Sequence, residues 1–296
     1  MIAQGGWKVH LVGRSEKNLA QATEALPQAI THQADVCLYK NLAAAFQSVF
    51  DEDKRIDFVF ANAGVPETPA FYTAHSEINA GDFPPEPDLT TIAVNLEGVV
   101  FTAHLTLHYF RLSPHRGQGT NFIINSSGAG LYPAPDIPLY ASAKREWPMF
   151  FVRFSIAGYV AFDADADKSM LFADGAIGLM RSITQRFQSH GIRVNAICTG
   201  LVKTKFLNSS PWAHFPSEIY VPVDVISLTI LRVLRLDDQE CPDQQIIEDN
   251  DGVCIKSSLF YGQTIEIFAD RIYFKGPPLF PDDKTKELME HARANL

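Results

Sequence analysis

A chain of 296 residues, 46% hydrophobic and 20% charged, is long enough to bury a full core as one domain, or at most two. The formal net charge of -9 argues against a nucleic-acid surface, which calls for a basic stripe. It leaves room for a nucleotide whose phosphates are held by backbone N–H groups and one or two local cations.

Cys37, Cys198, Cys241 and Cys254 form no CxxC pair or metal-ligand cluster, and scattered buried thiols in a reducing compartment are expected. The N-terminus does not read as a signal peptide. The most apolar run, Met149 to Phe162, carries Arg153 and is shorter than the ~20 residues of a membrane span. These features predict a cytoplasmic protein with no membrane partner.

In chain order, Trp7 to Val12 reads as a strand stopped by the turn Gly13-Arg14-Ser15. Ser15 can cap a helix over 16–26, where Leu19, Ala22 and Leu26 recur at helical spacing. Ala29 to His32 is a short strand ending in Ala34-Asp35-Val36, and a helix is expected over 38–50. Ile56 to Phe60 is a buried strand closing on Ala61-Asn62-Ala63-Gly64, followed by a Pro- and Gly-rich surface loop over 65–88. A long helix runs over 89–112, then a strand over 120–125 leading to the Ser127 loop. Further on come a helix over 175–189, a strand over 192–197, a helix over 221–235, a last strand over 263–268 and a polar tail. Strands alternating with helices predict a parallel sheet covered on both faces.

The chemistry concentrates at Tyr140 and Lys144, four apart and on one face if 139–144 starts a helix. An ammonium beside a phenol stabilises the phenolate, so Tyr140 is expected to exchange a proton nearer neutral pH than its free value of about 10. A serine hydroxyl nearby would hold the carbonyl or alcohol oxygen. Rival sites are weaker. His104 and His108 lack the Glu of a zinc HExxH helix, since residue 105 is Leu. Asp163, Asp165 and Asp167 lack the glycine and the closing Glu of a calcium loop. Cys198, at a strand end, reads as a structural thiol.

Set at the strand ends, these motifs resemble the short-chain dehydrogenase/reductase family, with the flavour of its hydroxyprostaglandin-dehydrogenase-like branch. Ala61-Asn62-Ala63-Gly64 is similar to the family's Asn-Asn-Ala-Gly turn, and Val94-Asn95-Leu96-Glu97-Gly98-Val99 to the segment bearing its fourth catalytic residue. Ser127 lies thirteen residues before Tyr140, the family's usual spacing, and Thr199 to Thr204 matches its Pro-Gly-x-x-x-Thr segment with threonine in place of proline. The likeness covers most of residues 7–275.

The resemblance implies a single doubly wound, Rossmann-like α/β domain over 1–296, with the tail at 276–296. It implies a catalytic set of Asn95, Ser127, Tyr140 and Lys144, acting between a carbonyl and a secondary alcohol. Asp35 and Val36 would touch the adenine; Asn62, Ala63 and Gly64 would line the cofactor; Tyr140 and Lys144 would meet the nicotinamide ribose. Val202 and Thr204 would fix the carboxamide, and Asn95 would hold a water that relays protons. Because the first turn carries Arg14 and no acid, NADP(H) is preferred to NAD(H). A homodimer or homotetramer is implied by family habit, with a small-molecule carbonyl or alcohol as the substrate.

Two departures from the family are visible. Its Thr-Gly-x-x-x-Gly-x-Gly turn and the strand before it have no counterpart here, and Trp7 to Val12 matches the family's second strand, so an N-terminally truncated sheet is expected. Joining Lys144 to Asp174 restores the family's helix, so 145–173 reads as an insertion. These departures keep two other readings open: a family-derived binding protein without turnover, or a mis-predicted gene model that does not fold stably. The aromatic residues Phe206, Trp212, Phe215 and Tyr220 suggest an apolar lid.

Overall fold

The computed structural model describes residues 6–67, 70–73, 86–145, 175–204, 206, 215–234, 246–256, 260–276 and 282–287. The strand β1 (His10–Gly13) pairs in parallel with β2 (Ile30–Gln33), and α1 (Glu16–Ala25) makes the crossover. Ser15 caps α1 as expected, accepting the Asn18 N–H through its hydroxyl. After α2 (Tyr39–Asp53) the chain enters a second sheet through β3 (Phe58–Ala61). That sheet has the order β3-β4-β5-β8-β9, with β4 (Asn121–Asn125), β5 (Arg193–Thr199), β8 (Thr264–Phe268) and β9 (Arg271–Lys275). Its first four strands are parallel, and β9 returns antiparallel to β8. The doubly wound α/β architecture expected from the alternating pattern is thus present.

The side-chain alternation of each strand divides the core in two. Phe122, Ile124, Val194 and Ala196 point to one face, where Leu42 and Phe46 of α2 meet α5 (Gly98–Leu112) and α7 (Ala176–Gln188). Ile123, Ile197, Ile265 and Ile267 point to the other and pack on Ile230 and Val233 of α8 (Val223–Leu234). Helices therefore cover both faces.

Several elements differ from expectation. The helix expected over 89–112 is composite: α4 (Thr90–Ile92), a π-helical turn Ala93–Glu97, then α5. Residues 65–67 of the expected surface loop are partly buried, and Ala70–Thr73 forms a short helical turn, α3. The strand expected last, over 263–268, is followed by a further one, β9, through a tight turn at Ala269, whose φ is 52°, and β9 ends just before the tail at 276–296. A hairpin of β6 (Ile246–Glu248) and β7 (Cys254–Lys256) was also missed; Asp249 ties its turn by accepting the Asp251 and Val253 N–H groups. Cys37 is half-buried, Cys198 buried and Cys254 exposed, so the thiols are not uniformly interior; Cys241 lies outside the described residues.

Between β1 and β3, both parallel edges, no strand intervenes among the described residues. The gap is a cleft of about 970 Å³ lined by Trp7, Val12, Val36, Phe46, Phe58 and Ala61 among others. Its place fits the expectation of a sheet without the family's first strand.

The expected insertion at 145–173 falls outside the described residues apart from Arg145, but both of its flanks are placed. The helix α6 (Pro138–Lys144) ends where Arg145 turns extended, and α7 starts from Gly175. A Cβ on Gly175 would lie 2.4 Å from the Ser142 carbonyl oxygen and 2.6 Å from the Arg145 nitrogen. Only glycine fits so close to the end of α6. The chain departs at Arg145 and resumes at the same place.

Candidate active site

In an open parallel sheet the loops at the carboxyl ends of the strands form the binding crevice. The loop after β3 carries Asn62, Ala63 and Gly64; the loop after β4 carries Ser126 and Ser127; the loop after β5 carries Val202 and Thr204. Asn62 and Asn125 bridge two of these ends, with Asn125 Nδ2 donating to Asn62 Oδ1 at 2.8 Å.

Tyr140 and Lys144 lie on α6, a seven-residue helix opened by Pro138. Its C-terminal end is fastened twice to β4: Lys144 Nζ donates to the Asn125 carbonyl at 2.8 Å, and Ser126 Oγ donates to the Lys144 carbonyl at 2.8 Å. Ser127 is extended, its hydroxyl accepting the Ala129 N–H at 3.2 Å, and that hydroxyl is near enough to the Tyr140 phenol to favour its ionised form. Ser127 and Tyr140 are therefore brought near each other, and Lys144 stands one turn further along α6.

The electrostatics correct one expectation. Burial pushes the Tyr140 phenol above its ordinary value, and the hydrogen bond from Ser127 only opposes that rise. Burial also pushes Lys144 down to about 8. The lysine was expected to lower the tyrosine, but its ammonium is aimed at the Asn125 carbonyl, and desolvation governs both groups. The Cys198 thiol, fully buried, is pushed up to about 12 by burial and stays protonated, in keeping with a structural thiol.

Asn95 sits in the π-helical turn, fully buried. Its Oδ1 accepts the Val65 N–H and its Nδ2 donates to the Val65 carbonyl, each at 2.9 Å. The side chain thus braces the loop after β3. Gly64 allows this approach, since a Cβ there would lie 3.2 Å from Asn95 Oδ1 and 3.9 Å from Lys144 Nζ. Glu67, missed in the sequence, accepts the Tyr140 backbone N–H at 2.8 Å.

At the far end of the crevice, the largely exposed Arg14 guanidinium lies 3.8 Å from the Asp35 carboxylate. Asp35 also accepts the Cys37 N–H at 2.9 Å, which fixes the turn bearing Val36. Thr204 Oγ1 accepts the Phe206 N–H, and the Phe206 ring stands 6.0 Å from that of Tyr140. Of the expected lid, Phe206 thus borders the site, whereas Trp212 lies outside the described residues.

A family model described as short chain dehydrogenase matches residues 1–154. The short-chain dehydrogenase/reductase prx7 of Penicillium rubens is 37% identical over 289 residues, covering 97% of this chain and 91% of that protein. The 15-hydroxyprostaglandin dehydrogenase [NAD(+)] of Rattus norvegicus is 31% identical over 178 residues, 60% of this chain and 50% of that protein. Among solved structures, an alcohol dehydrogenase from the archaeon Thermococcus sibiricus, complexed with 5-hydroxy-NADP, superposes with a TM-score of 0.57 at 19% identity. The superposition covers 94% of this chain and 91% of that chain, and it shows the shared fold.

The fold is that of a nucleotide-dependent α/β oxidoreductase. The chain belongs to the short-chain dehydrogenase/reductase family, whose members are NAD(P)-dependent.

The residues present fit such a dinucleotide at its two ends. Asn125 Oδ1 is buried beside the lysine without a hydrogen-bond partner, an acceptor that a ligand hydroxyl or amide would satisfy. Arg14, Asp35 and Val36 gather at the ends of β1 and β2, where an adenosine would lie.

Proposed function

We propose that the chain transfers a hydride between NADP(H) and a carbonyl or secondary alcohol, with Tyr140 as the acid/base. The meeting of Tyr140, on α6, with Ser127 of the loop after β4, with Lys144 one turn further along α6 and tied to β4, carries this reading. A phenol raised by burial is protonated at neutral pH, the form that donates to a carbonyl oxygen while Ser127 holds that oxygen. The bound dinucleotide supplies the hydride. Asn62, Ala63 and Gly64 border its path, Val202 and Thr204 would take the carboxamide, and Asn125 and Lys144 would meet the ribose. Asn95 serves the site by holding the 64–67 loop.

Arg14 offers a cation for a 2′-phosphate, and this supports NADP(H) over NAD(H). The Asp35 carboxylate competes for the same guanidinium, so the preference is modest. Phe206 beside Tyr140 favours a substrate with apolar surface next to its reacting carbon.

Titrating the purified chain with NADPH and NADH by fluorescence, then assaying benzil, acetophenone, cyclohexanone and their alcohols, tests this reading. Tighter binding of NADPH and turnover of at least one pair are expected. Cofactor binding without turnover of any of them would leave a binding protein, and the proposed activity would fall.

A further inference from the structure

Glu67 belongs to the loop after β3, yet its carboxylate reaches the Tyr140 backbone N–H at 2.8 Å, 73 positions along the chain. That N–H lies in the first turn of α6, where helical N–H groups have no intrahelical acceptor. Ile137, at the cap position, makes no side-chain hydrogen bond to the turn, and Pro138 follows it. A helix of seven residues is too short to hold its own geometry, so Tyr140 depends on the packing of buried Ala141 and Ala143 and on how the ends of α6 are fastened. Ser126 and the Asn125 carbonyl fasten one end. Glu67 fastens the other, with a carboxylate at the positive end of the helix.

Glu67 is itself held. The Val65 N–H and carbonyl are both taken by the buried Asn95 amide at 2.9 Å, and Thr91 Oγ1 donates to the Pro66 carbonyl at 3.3 Å. A continuous path of hydrogen bonds and covalent bonds thus runs from the π-helical turn through Val65, Pro66 and Glu67 to the backbone of Tyr140.

We propose that Glu67 is a positioning residue for proton transfer. It fixes the backbone of Tyr140, and so the direction of the phenol toward Ser127, without touching the substrate. The proposal rests on the oxidoreductase reading above.

The test uses the full chain with NADPH and the carbonyl of the panel that it reduces, benzil being the first probe. Glu67→Met keeps the length of the side chain and removes the acceptor. It is expected to lower kcat by about 10- to 100-fold, with the KM for benzil and NADPH binding within about twofold. Glu67→Gln keeps an acceptor and is expected to restore kcat to within about threefold of the wild type. In parallel, backbone hydrogen exchange at Tyr140 is expected to quicken in Glu67→Met and to stay slow in Glu67→Gln. If Glu67→Met does not fold, Glu67→Asp, too short by one methylene, replaces it and should lose about 10-fold in kcat.

A wild-type kcat in Glu67→Met, unchanged exchange at Tyr140, or equal losses in the Met and Gln variants would each overturn the positioning role. A wild-type chain that reduces none of the carbonyls would overturn the oxidoreductase reading, and the positioning role with it. Only the variants distinguish the first kind of failure from the second.

Discussion

The β1–β2 pair and the five-stranded sheet of this molecule are buried very differently. In β4 and β5 almost every residue is buried, whereas the residues of β1 and β2 are half-buried or exposed, and α1 buries none of its residues. The cause is position. Each of β4 and β5 has a strand on both sides and helices on both faces, while among the described residues β1 has only β2 beside it and the cleft on its other edge. The catalytic candidates hang on the closed half, from β4 and from α6. The residues suited to the adenosine hang on the open half, at the ends of β1 and β2. The proposed chemistry and the proposed cofactor selectivity thus rest on supports of unequal burial, and perturbing each separately measures that inequality.

The largest effect should come from the closed half. Tyr140→Phe removes only a hydroxyl, and turnover should fall by about 10³-fold or more, with the thermal midpoint and NADPH affinity nearly unchanged. Retained activity would place the acid/base elsewhere. For stability the same half should dominate. Ile197→Ala, at a position fully buried on β5, should cost about 3 kcal/mol in denaturant unfolding. Val12→Ala, at a residue 40% exposed on β1, should cost less than about 1 kcal/mol. Equal costs would mean that the open sheet is packed as tightly as the closed one.

Lys144→Met divides function from stability within the closed half. The lysine is held at about 8 because burial penalises its ammonium, so the folded chain carries that penalty at neutral pH. The variant should lose turnover and gain on the order of 1–3 kcal/mol, less whatever the Asn125 carbonyl loses with its donor. The gain should shrink as pH rises through about 8 toward the unfolded value of 10.5, where the wild-type lysine becomes neutral in both states. A less stable variant at pH 7 would show that the hydrogen bond outweighs the burial.

Much of this arrangement could be read from local pattern. The runs over 56–60, 120–125 and 192–197 marked the strands and the edge where the site lies, and the four-residue step from Tyr140 to Lys144 set two groups on one helix. What escaped depends on contacts distant in sequence. The π-helical turn accompanies the pairing of Asn95 with Val65, 30 positions away, and Glu67 has its partner 73 positions away, so neither leaves a periodic mark. The direction of the Tyr140 shift escaped for another reason: spacing shows which charge is near, but the depth of burial, which decides here, is a property of the folded core. By contrast, β9 could have been found, since Ile272 and Phe274 alternate with Arg271, Tyr273 and Lys275 just after a turn.

The smallest expected effect belongs to the open half and concerns pH. His10 Nδ1 and His32 Nε2 face each other at 2.8 Å, joining β1 to β2, and His10 Nε2 meets Asp53 Oδ2 at 2.8 Å at the end of α2. Lys8 pairs with Asp53 and Glu52 at the same corner, so the groups facing the histidine pair are one ammonium and two carboxylates. One ring nitrogen of the pair must accept, so the contact holds one proton and not two. His32 is lowered from its ordinary 6.5 by burial first and by the charge of His10 second, with Glu52 opposing. The unfolded chain therefore binds more protons than the folded chain just below pH 6.5, and stability rises with pH there. The contribution is complete above 6.5 and is lost as pH falls through the lower folded value. Melts at pH 7.5 and 5.5 should differ by a few degrees more in the wild type than in His32→Gln, which cannot take up the second proton. Hydrogen exchange should show the loss at β1 and β2 while β4 and β5 stay protected. Equal pH dependence in the two proteins would mean that the histidine contact does not hold the open sheet, leaving Lys8 and Asp53 as its fastening to α2.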